Sequence, residues 1–351
     1  MVKILPLHSV LWISILIEII SIASLRFIGI DWDYHVDSVT YVEKSAYISE
    51  KIISSGNIFI GLNNSYYLLV NFLQSNPNYI IIFNSIIFSL TNLFLVLILR
   101  PYRHKFYGTF EYLILFNPYR VYLGTTLLKD TLLIFLLVVS YYFFHLTKHS
   151  TRFRSNIANL IGKSLTLITS VLSIFFAGRT ILYLFLLPRF LDRLKNLKAI
   201  IGILLFFVFM NAITNHYINM DIFSSFANAS RTSMDFRDYG RIPNFATFGI
   251  LGTILRTFIW PIFYLSGLFI IFSPSLELFL IAIGIVFVLF NLQKLNIIPI
   301  FPGAFLSYTF FAGITSGFLS FGRYVLPAWI LSSVILYIRK SPRYNFHYLK
   351  N

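Results

Sequence analysis

The sequence predicts an all-α fold, a polytopic transmembrane helical bundle of about ten spans with short interfacial or re-entrant helices. Three observations predict it. Of the 351 residues, 57% are hydrophobic and 12% are charged, against roughly 25% charged residues in soluble domains. The mean hydropathy of +0.77 describes more apolar surface than a soluble core conceals. Apolar runs near the ~20 residues that a spanning helix requires recur along the whole chain. No polar stretch is long enough to make a soluble domain, so residues 1–351 read as a single integral membrane domain.

The elements follow in order. The N-terminus, Met1-Val2-Lys3 and then mostly apolar from Ile4, reads as an uncleaved signal anchor. Val10 to Phe27 is the first span, and Glu18 in its middle must face protein or a cavity, because a carboxylate at that depth is costly. With Lys3 inside, residues 31–64 form an outer, periplasmic acidic loop. Within it Ser38 to Ser54 has a helical stripe of Val39, Val42, Ala46 and Ile53, interrupted by Ser49, and suits a helix lying along the membrane surface. Tyr66 to Leu73 is too short to span, and Asn76-Pro77-Asn78 is a turn signal.

Tyr79 to Leu99 is the next span, ending in the basic run Arg100 to Lys105 that marks a cytoplasmic end. Thr109 to Leu128 returns outward, interrupted by Asn117-Pro118. Thr131 to Leu146 goes inward. This alternation sets Lys129-Asp130 on the same face as the acidic loop. Leu160 to Leu187 is long for one span and reads as two short helices turning at Arg179. Ala199 to Ile213 then leads outward to a second outer loop, residues 214–244. The remaining spans are Phe245 to Phe272, Leu276 to Leu292, Pro299 to Gly317 and Val325 to Ile338. Simple alternation leaves the basic C-terminal tail outside, so a broken or re-entrant helix is expected between Leu160 and Phe321.

The net charge of +15 belongs to helix ends and to attraction toward anionic lipid head groups, and no nucleic acid is expected as a partner. The absence of cysteine excludes disulfides, thiolate nucleophiles and cysteine-based metal sites. No Gly-rich phosphate loop or zinc-binding helix is present. Asp31-Trp32-Asp33 is the one place a divalent ion suggests itself, and no metal or cofactor is expected.

The acidic residues are placed unevenly. Of 13 in the chain, Asp31, Asp33, Asp37, Glu43 and Glu50 fall within twenty positions. Sugar transfer from a lipid diphosphate needs a carboxylate to take the acceptor's proton and cations to hold the leaving group. Asp31, Asp33 and Asp37 are the candidate bases, and in an extended segment they project to one side. Asp37, ahead of the amphipathic stretch, also reads as a helix cap. The candidate diphosphate ligands are Arg323, Arg179, Lys129, Arg256 and Arg26, each in or beside an apolar run. Lys129 with Asp130 also reads as a structural ion pair, and Arg323 as a snorkelling cation. Asp130, Arg237 and Arg241 are candidate sugar contacts.

These residues carry a resemblance. Arg26-Phe27-Ile28-Gly29-Ile30-Asp31, with Asp37 and Tyr41, resembles the Arg-x-x-Gly-x-Asp…Tyr pattern of EpsG-like and Wzy-type polysaccharide polymerases. Asn117-Pro118-Tyr119, Leu127-Leu128-Lys129-Asp130 and Gly322-Arg323-Tyr324 with Pro327 are similar to elements of GT-C membrane glycosyltransferases. The resemblance implies a multi-pass enzyme of the bacterial inner membrane. It would join undecaprenyl-diphosphate-linked oligosaccharides at the periplasmic face, in O-antigen, capsule or exopolysaccharide synthesis. Membrane lipid and a chain-length regulator protein are the further partners it implies. The alternatives are a GT-C transferase using a polyprenyl phosphate and, in another class, a flippase for the same lipid.

Overall fold

The computed structural model describes residues 6–34, 36–55, 64–102, 107–149, 156–176 and 276–294, together with 330, 331, 333–335, 337 and 338. All regular elements among them are helical. The chain divides into two compact units, Met1–Leu184 with Leu336–Asn351, and Phe185–Ile335. Among the described residues three helices are long and apolar enough to cross a membrane, Leu7–Phe27, Pro77–Leu99 and Asp130–Thr147. Most of the further expected spans lie outside the described residues.

In the first unit α1 (Leu7–Phe27) is apolar nearly all round, and its buried stripe is polar. Val10, Ser14 and Glu18 are buried at four-residue intervals, while Trp12, Leu16, Ile19 and Ile20 are exposed. That is the pattern of a helix whose outer surroundings are as apolar as its core. Gly29 ends the helix at φ +79. The Gly29 N–H bonds to the Arg26 carbonyl and the Ile30 N–H to that of Leu25, a left-handed glycine stop that reverses the chain. A 3-10 turn, Trp32–Tyr34, then leads into α2 (Val36–Ser55).

The segment from Asp31 to Asp37 is therefore turn and helix, and the extended strand in which the three aspartates share a side is not formed. The most buried face of α2 is not that of the apolar stripe. Its buried residues are Ser38, Tyr41, Ser45 and Ser49, whereas Ile53 is 73% exposed and Ala46 is exposed too. Small serines allow close approach to α3 (Ser65–Phe72) and bond to it: Ser49 Oγ donates to the Tyr67 carbonyl, and Ser45 Oγ meets Ser75 Oγ in the turn that follows. Tyr41 sets its ring edge-on to both Tyr66 and Tyr67.

Both Asn-Pro pairs start helices. Asn76 caps α4 (Pro77–Leu99), its side chain accepting the Asn78 N–H, and Asn117 caps α6 (Pro118–Gly124) through the Tyr119 N–H. An asparagine cap followed by proline at the first helical position suits both residues, since that proline has no N–H to satisfy. The expected return run from Thr109 to Leu128 is thus two short helices, α5 (Tyr107–Leu115) and α6, neither long enough to span. Then comes α7 (Asp130–His149) and α8 (Asn156–Phe176). α4 packs between α1 and α7, α8 lies on α7, and α6 is wedged among α1, α4 and α7. The α7–α8 seam uses small polar residues, with Ser140 Oγ bonded to Ser170 Oγ at 2.7 Å, as helices do when no hydrophobic drive separates them from lipid. Leu160, Ile161, Leu167 and Ile168 face outward.

The chain between α6 and α7 is irregular and buried, and its carbonyls are bonded by side chains. Tyr66 Oη donates to Leu127 at 2.8 Å, Asn84 Nδ2 to Thr126 at 2.7 Å and to Leu128 at 3.2 Å, and Thr131 Oγ1 to Leu123 at 2.7 Å. Irregular backbone is tolerated in a buried position only where such partners exist. In the second unit α9 (Leu276–Lys294) buries Ile281, Ile285 and Val288 and exposes Phe279, Val286 and Phe290.

Replacing Asn84 by alanine strips two buried carbonyls of their donor at once. The expected loss is about 1–3 kcal/mol of stability, read as a lower unfolding midpoint in detergent or in lipid nanodiscs.

Candidate functional site

The Arg26-x-x-Gly29-x-Asp31 spacing has a geometric cause. The glycine stop turns the chain back so that Asp31 Oδ1 lies 3.7 Å from Arg26 Nε. The same Oδ1 accepts the Trp32 N–H at 2.8 Å, and Arg26 Nη2 donates to Asn78 Oδ1 at 2.9 Å at the start of α4. Asp31 Oδ2 has no partner among the described residues. Both side chains of the pair remain about half exposed, so the attraction itself contributes little stability. Its effect is to fix the direction of the carboxylate.

The pair stands at a small, partly open cleft of about 20 Å³. One wall is the end of α1, with Ile22, Leu25 and Arg26, and the turn residues Ile30, Asp31, Trp32 and Tyr34. Ser38 of α2 and Ile81 of α4 close two sides. The end of α6, with Tyr122, Thr125 and Thr126, forms the opposite wall. Residues about a hundred positions apart in sequence thus share one cavity. Ser38 is wholly buried, and its Oγ has no hydrogen-bond partner among the described residues.

The other sequence-predicted residues are placed as follows. Asp33 is exposed on the 3-10 turn and does not line the cleft. Asp37 lies in the first turn of α2 rather than ahead of it. There it faces the Tyr67 phenol, whose pKa is raised by burial and, second, by the Asp37 carboxylate. Lys129 and Asp130 are buried where α7 begins, 7% and 2% exposed. The Tyr66 phenol beside them is raised by burial and further by Asp130, while a bond from Asn84 acts the other way. Arg26, Asp31, Asp37 and the Lys129-Asp130 pair therefore gather at one end of the helices of the first unit. Arg179, Arg237, Arg241, Arg256 and Arg323 lie outside the described residues, as does the 214–244 loop.

One turn of α1 below the cleft lies a second polar group that includes a residue the sequence reading passed over. Arg120, 2% exposed, sits where α5 breaks into α6. Its Nη1 donates to the Ile114 carbonyl at 2.7 Å and to that of Leu115 at 3.3 Å, and its Nη2 to Asn92 Oδ1 at 3.0 Å. Asn92 passes the bonding on to Ser14 of α1, and the guanidinium lies over the Phe88 ring. Glu18 is fully buried on the facing side of α1, with Ser85 Oγ donating to its Oε2 at 3.4 Å and Arg120 as its electrostatic partner. The signal for Arg120 was present: a lone cation within the apolar Thr109 to Leu128 run, of the kind that singled out Arg179 and Arg256.

Gly124 fits this arrangement. A Cβ there would come within 2.6 Å of both Glu18 carboxylate oxygens, so a side chain at this position would displace the end of the Glu18 side chain. Protein-family models, curated proteins and solved structures, compared with this chain, give no match.

Gly124→Ala is expected to cost about 1–3 kcal/mol by overpacking against Glu18. Combining it with Glu18→Ala should cost less than the sum of the two single changes, because the lost carboxylate leaves room for the added methyl. Unfolding midpoints of the four proteins measure the coupling, and simple additivity would show that the contact is not made.

Proposed function

We propose that the chain is a membrane glycosyltransferase of the polymerase kind, joining undecaprenyl-diphosphate-linked oligosaccharides at the periplasmic face of a bacterial inner membrane through multiple passes. The observation that carries the reading is Asp31, a carboxylate fixed by Arg26 and the Trp32 N–H, whose second oxygen is unbonded among the described residues, at a cleft at the helix ends. A general base has to reach the hydroxyl it activates, and a preorganised carboxylate loses little freedom in doing so.

In the proposed step the acceptor sugar's hydroxyl oxygen forms a bond to the anomeric carbon of the donor chain. The bond from that carbon to the undecaprenyl diphosphate oxygen breaks, and the diphosphate leaves with the electron pair. The hydroxyl proton passes to Asp31. Lys129 and Arg26 are the diphosphate candidates among the described residues, with Arg323, Arg179 and Arg256 as the further candidates from sequence. No nucleotide or metal enters the step, and a chain-length regulator is the partner expected of a polymerase.

One observation favours a transporter of the same lipid instead: the buried Glu18 and Arg120 lie deep among the helices, where ionisable groups often mark transport paths. Products separate the two readings. A polymerase yields chain ladders from purified lipid-linked repeat units, and a transporter leaves them chemically unchanged.

Asp31→Asn is expected to lower the polymerisation rate by roughly 10²–10⁴-fold at unchanged protein level, and Asp33→Asn to leave it near wild type. Ladder formation at full rate by the Asp31 variant would remove the proposed base.

A further inference from the structure

We infer that Glu18 is a proton-binding site: it holds a proton in the arrangement described, and losing that proton draws Arg120 off the break between α5 and α6. The inference depends on neither the transferase nor the transporter reading, and it concerns groups that the proposed sugar transfer does not use.

The first argument is what surrounds the carboxyl group. An ionised carboxylate only accepts, through two oxygens with about four lone-pair sites, and a buried one needs a paired cation or several donors. Glu18 is wholly buried, yet its Oε1 has no hydrogen-bond partner among the described residues. Its Oε2 has the Ser85 hydroxyl at 3.4 Å, longer than the roughly 2.5–2.7 Å that a hydroxyl keeps from a charged oxygen. Toward α6 the group lies against the bare Cα of Gly124, where an added Cβ would stand 2.6 Å from both oxygens. This is the setting of a neutral acid.

The second is what Arg120 already has. Two backbone carbonyls and the Asn92 amide oxygen accept its N–H groups, and the guanidinium lies over the Phe88 ring. Dipoles and a ring face thus meet the cation. It forms no ion pair with Glu18 and acts on it from farther off. Of the helices packed on α1, α4 brings Tyr79 and no charged residue, while α6 brings Arg120 with Tyr119 and Tyr122. On α1 itself, His8 and Arg26 lie near the two ends.

The third is what ionisation does here. A bare carboxylate at this position has Arg120 as the charge to draw on among the described residues, and attraction between two buried charges is strong. Arginine's fork is planar and rigid, so turning it toward α1 withdraws Nη1 from the Ile114 and Leu115 carbonyls, the bonds that hold the break. The end of α6 carries Tyr122, Thr125 and Thr126 to the wall opposite Asp31. The proton on Glu18 therefore sets the position of that wall. The cleft begins one turn further along the same face of α1, at Ile22, with room for a water that takes the proton toward solvent.

The test uses the full chain in lipid nanodiscs. Infrared spectra at neutral pH should show the carbonyl stretch of a protonated carboxyl group in the wild type, missing in Glu18→Gln. A carboxyl group loses its proton as the pH rises, so the band should disappear on raising the pH within the range where the chain stays folded. Glutamine has the shape of the neutral acid, and the unfolding temperature of Glu18→Gln at neutral pH should match the wild type. Because the chain has no cysteine, a bimane on Phe116→Cys reports the α5–α6 break alone. Its emission should change together with loss of the band, and should stay constant over the same pH range when Glu18→Gln is also present. If Glu18→Gln fails to fold, Glu18→Asp identifies the band by shifting it.

A spectrum that Glu18→Gln leaves unchanged would show Glu18 ionised throughout. A band that persists at every pH the fold survives would make it a fixed structural acid. An equal bimane response with and without Glu18→Gln would cut the link to Arg120. Each of the three overturns the assignment, and none of them bears on chain ladders, which test the transferase reading separately.

Discussion

The break between α5 and α6 is tenable because Arg120 bonds the carbonyls it leaves open. A helix interrupted among apolar neighbours exposes backbone acceptors that neither lipid nor hydrocarbon side chains can satisfy. The buried guanidinium takes the Ile114 and Leu115 carbonyls together, and reaches Asn92 of α4 in the same plane. That one side chain ties the end of α5, the start of α6 and the middle of α4. Glu18 faces it from α1 across Gly124. Buried ionic groups seldom add net stability. Here they specify where a helix stops and what it stops against.

The same constraint governs the next irregular stretch. Leu123 and Thr126 to Leu128 offer carbonyls at the start of α7, and Asn84, Tyr66 and Thr131 supply the donors. Two polar residues of α4, Asn84 and Asn92, thus support the two ends of α6. The wall of the cleft that carries Tyr122, Thr125 and Thr126 is built on bonded, buried backbone. The facing wall, from Ile28 to Tyr34, is a short exposed turn held by Gly29 and the Arg26–Asp31 pair.

Much of this was legible from residue order. The α1, α4 and α7 runs matched their sequence expectations because apolar length is a direct requirement of the bilayer. Glu18 was expected to face protein, since the alternative is a carboxylate in lipid, and it does. For α2 the residue order offered an apolar stripe of Val39, Val42, Ala46 and Ile53 suited to a membrane surface. The face that packs on the protein is made instead by the serines and Tyr41, with Ile53 turned outward. Serines pack closely and bond across a helix pair, whereas isoleucine loses nothing by facing an apolar medium. The aspartates were aligned on an extended segment, which the Gly29 turn and the 3-10 turn abolish. Asp31 alone of the three lines the cleft.

The sequence by itself determined the helical class, the three long apolar helices, the breaks at the two Asn-Pro pairs and the presence of a costly carboxylate in the first helix. These are local or additive properties, set by hydropathy, ring geometry and capping. Only the tertiary structure decided that Arg120 is the counterpart of Glu18, that Gly124 lies against the Glu18 carboxylate, and that Ser38 joins Asp31 and Thr125 around one cavity. Such pairings depend on which faces meet, and one chain's residue order carries no record of which distant polar group satisfies which.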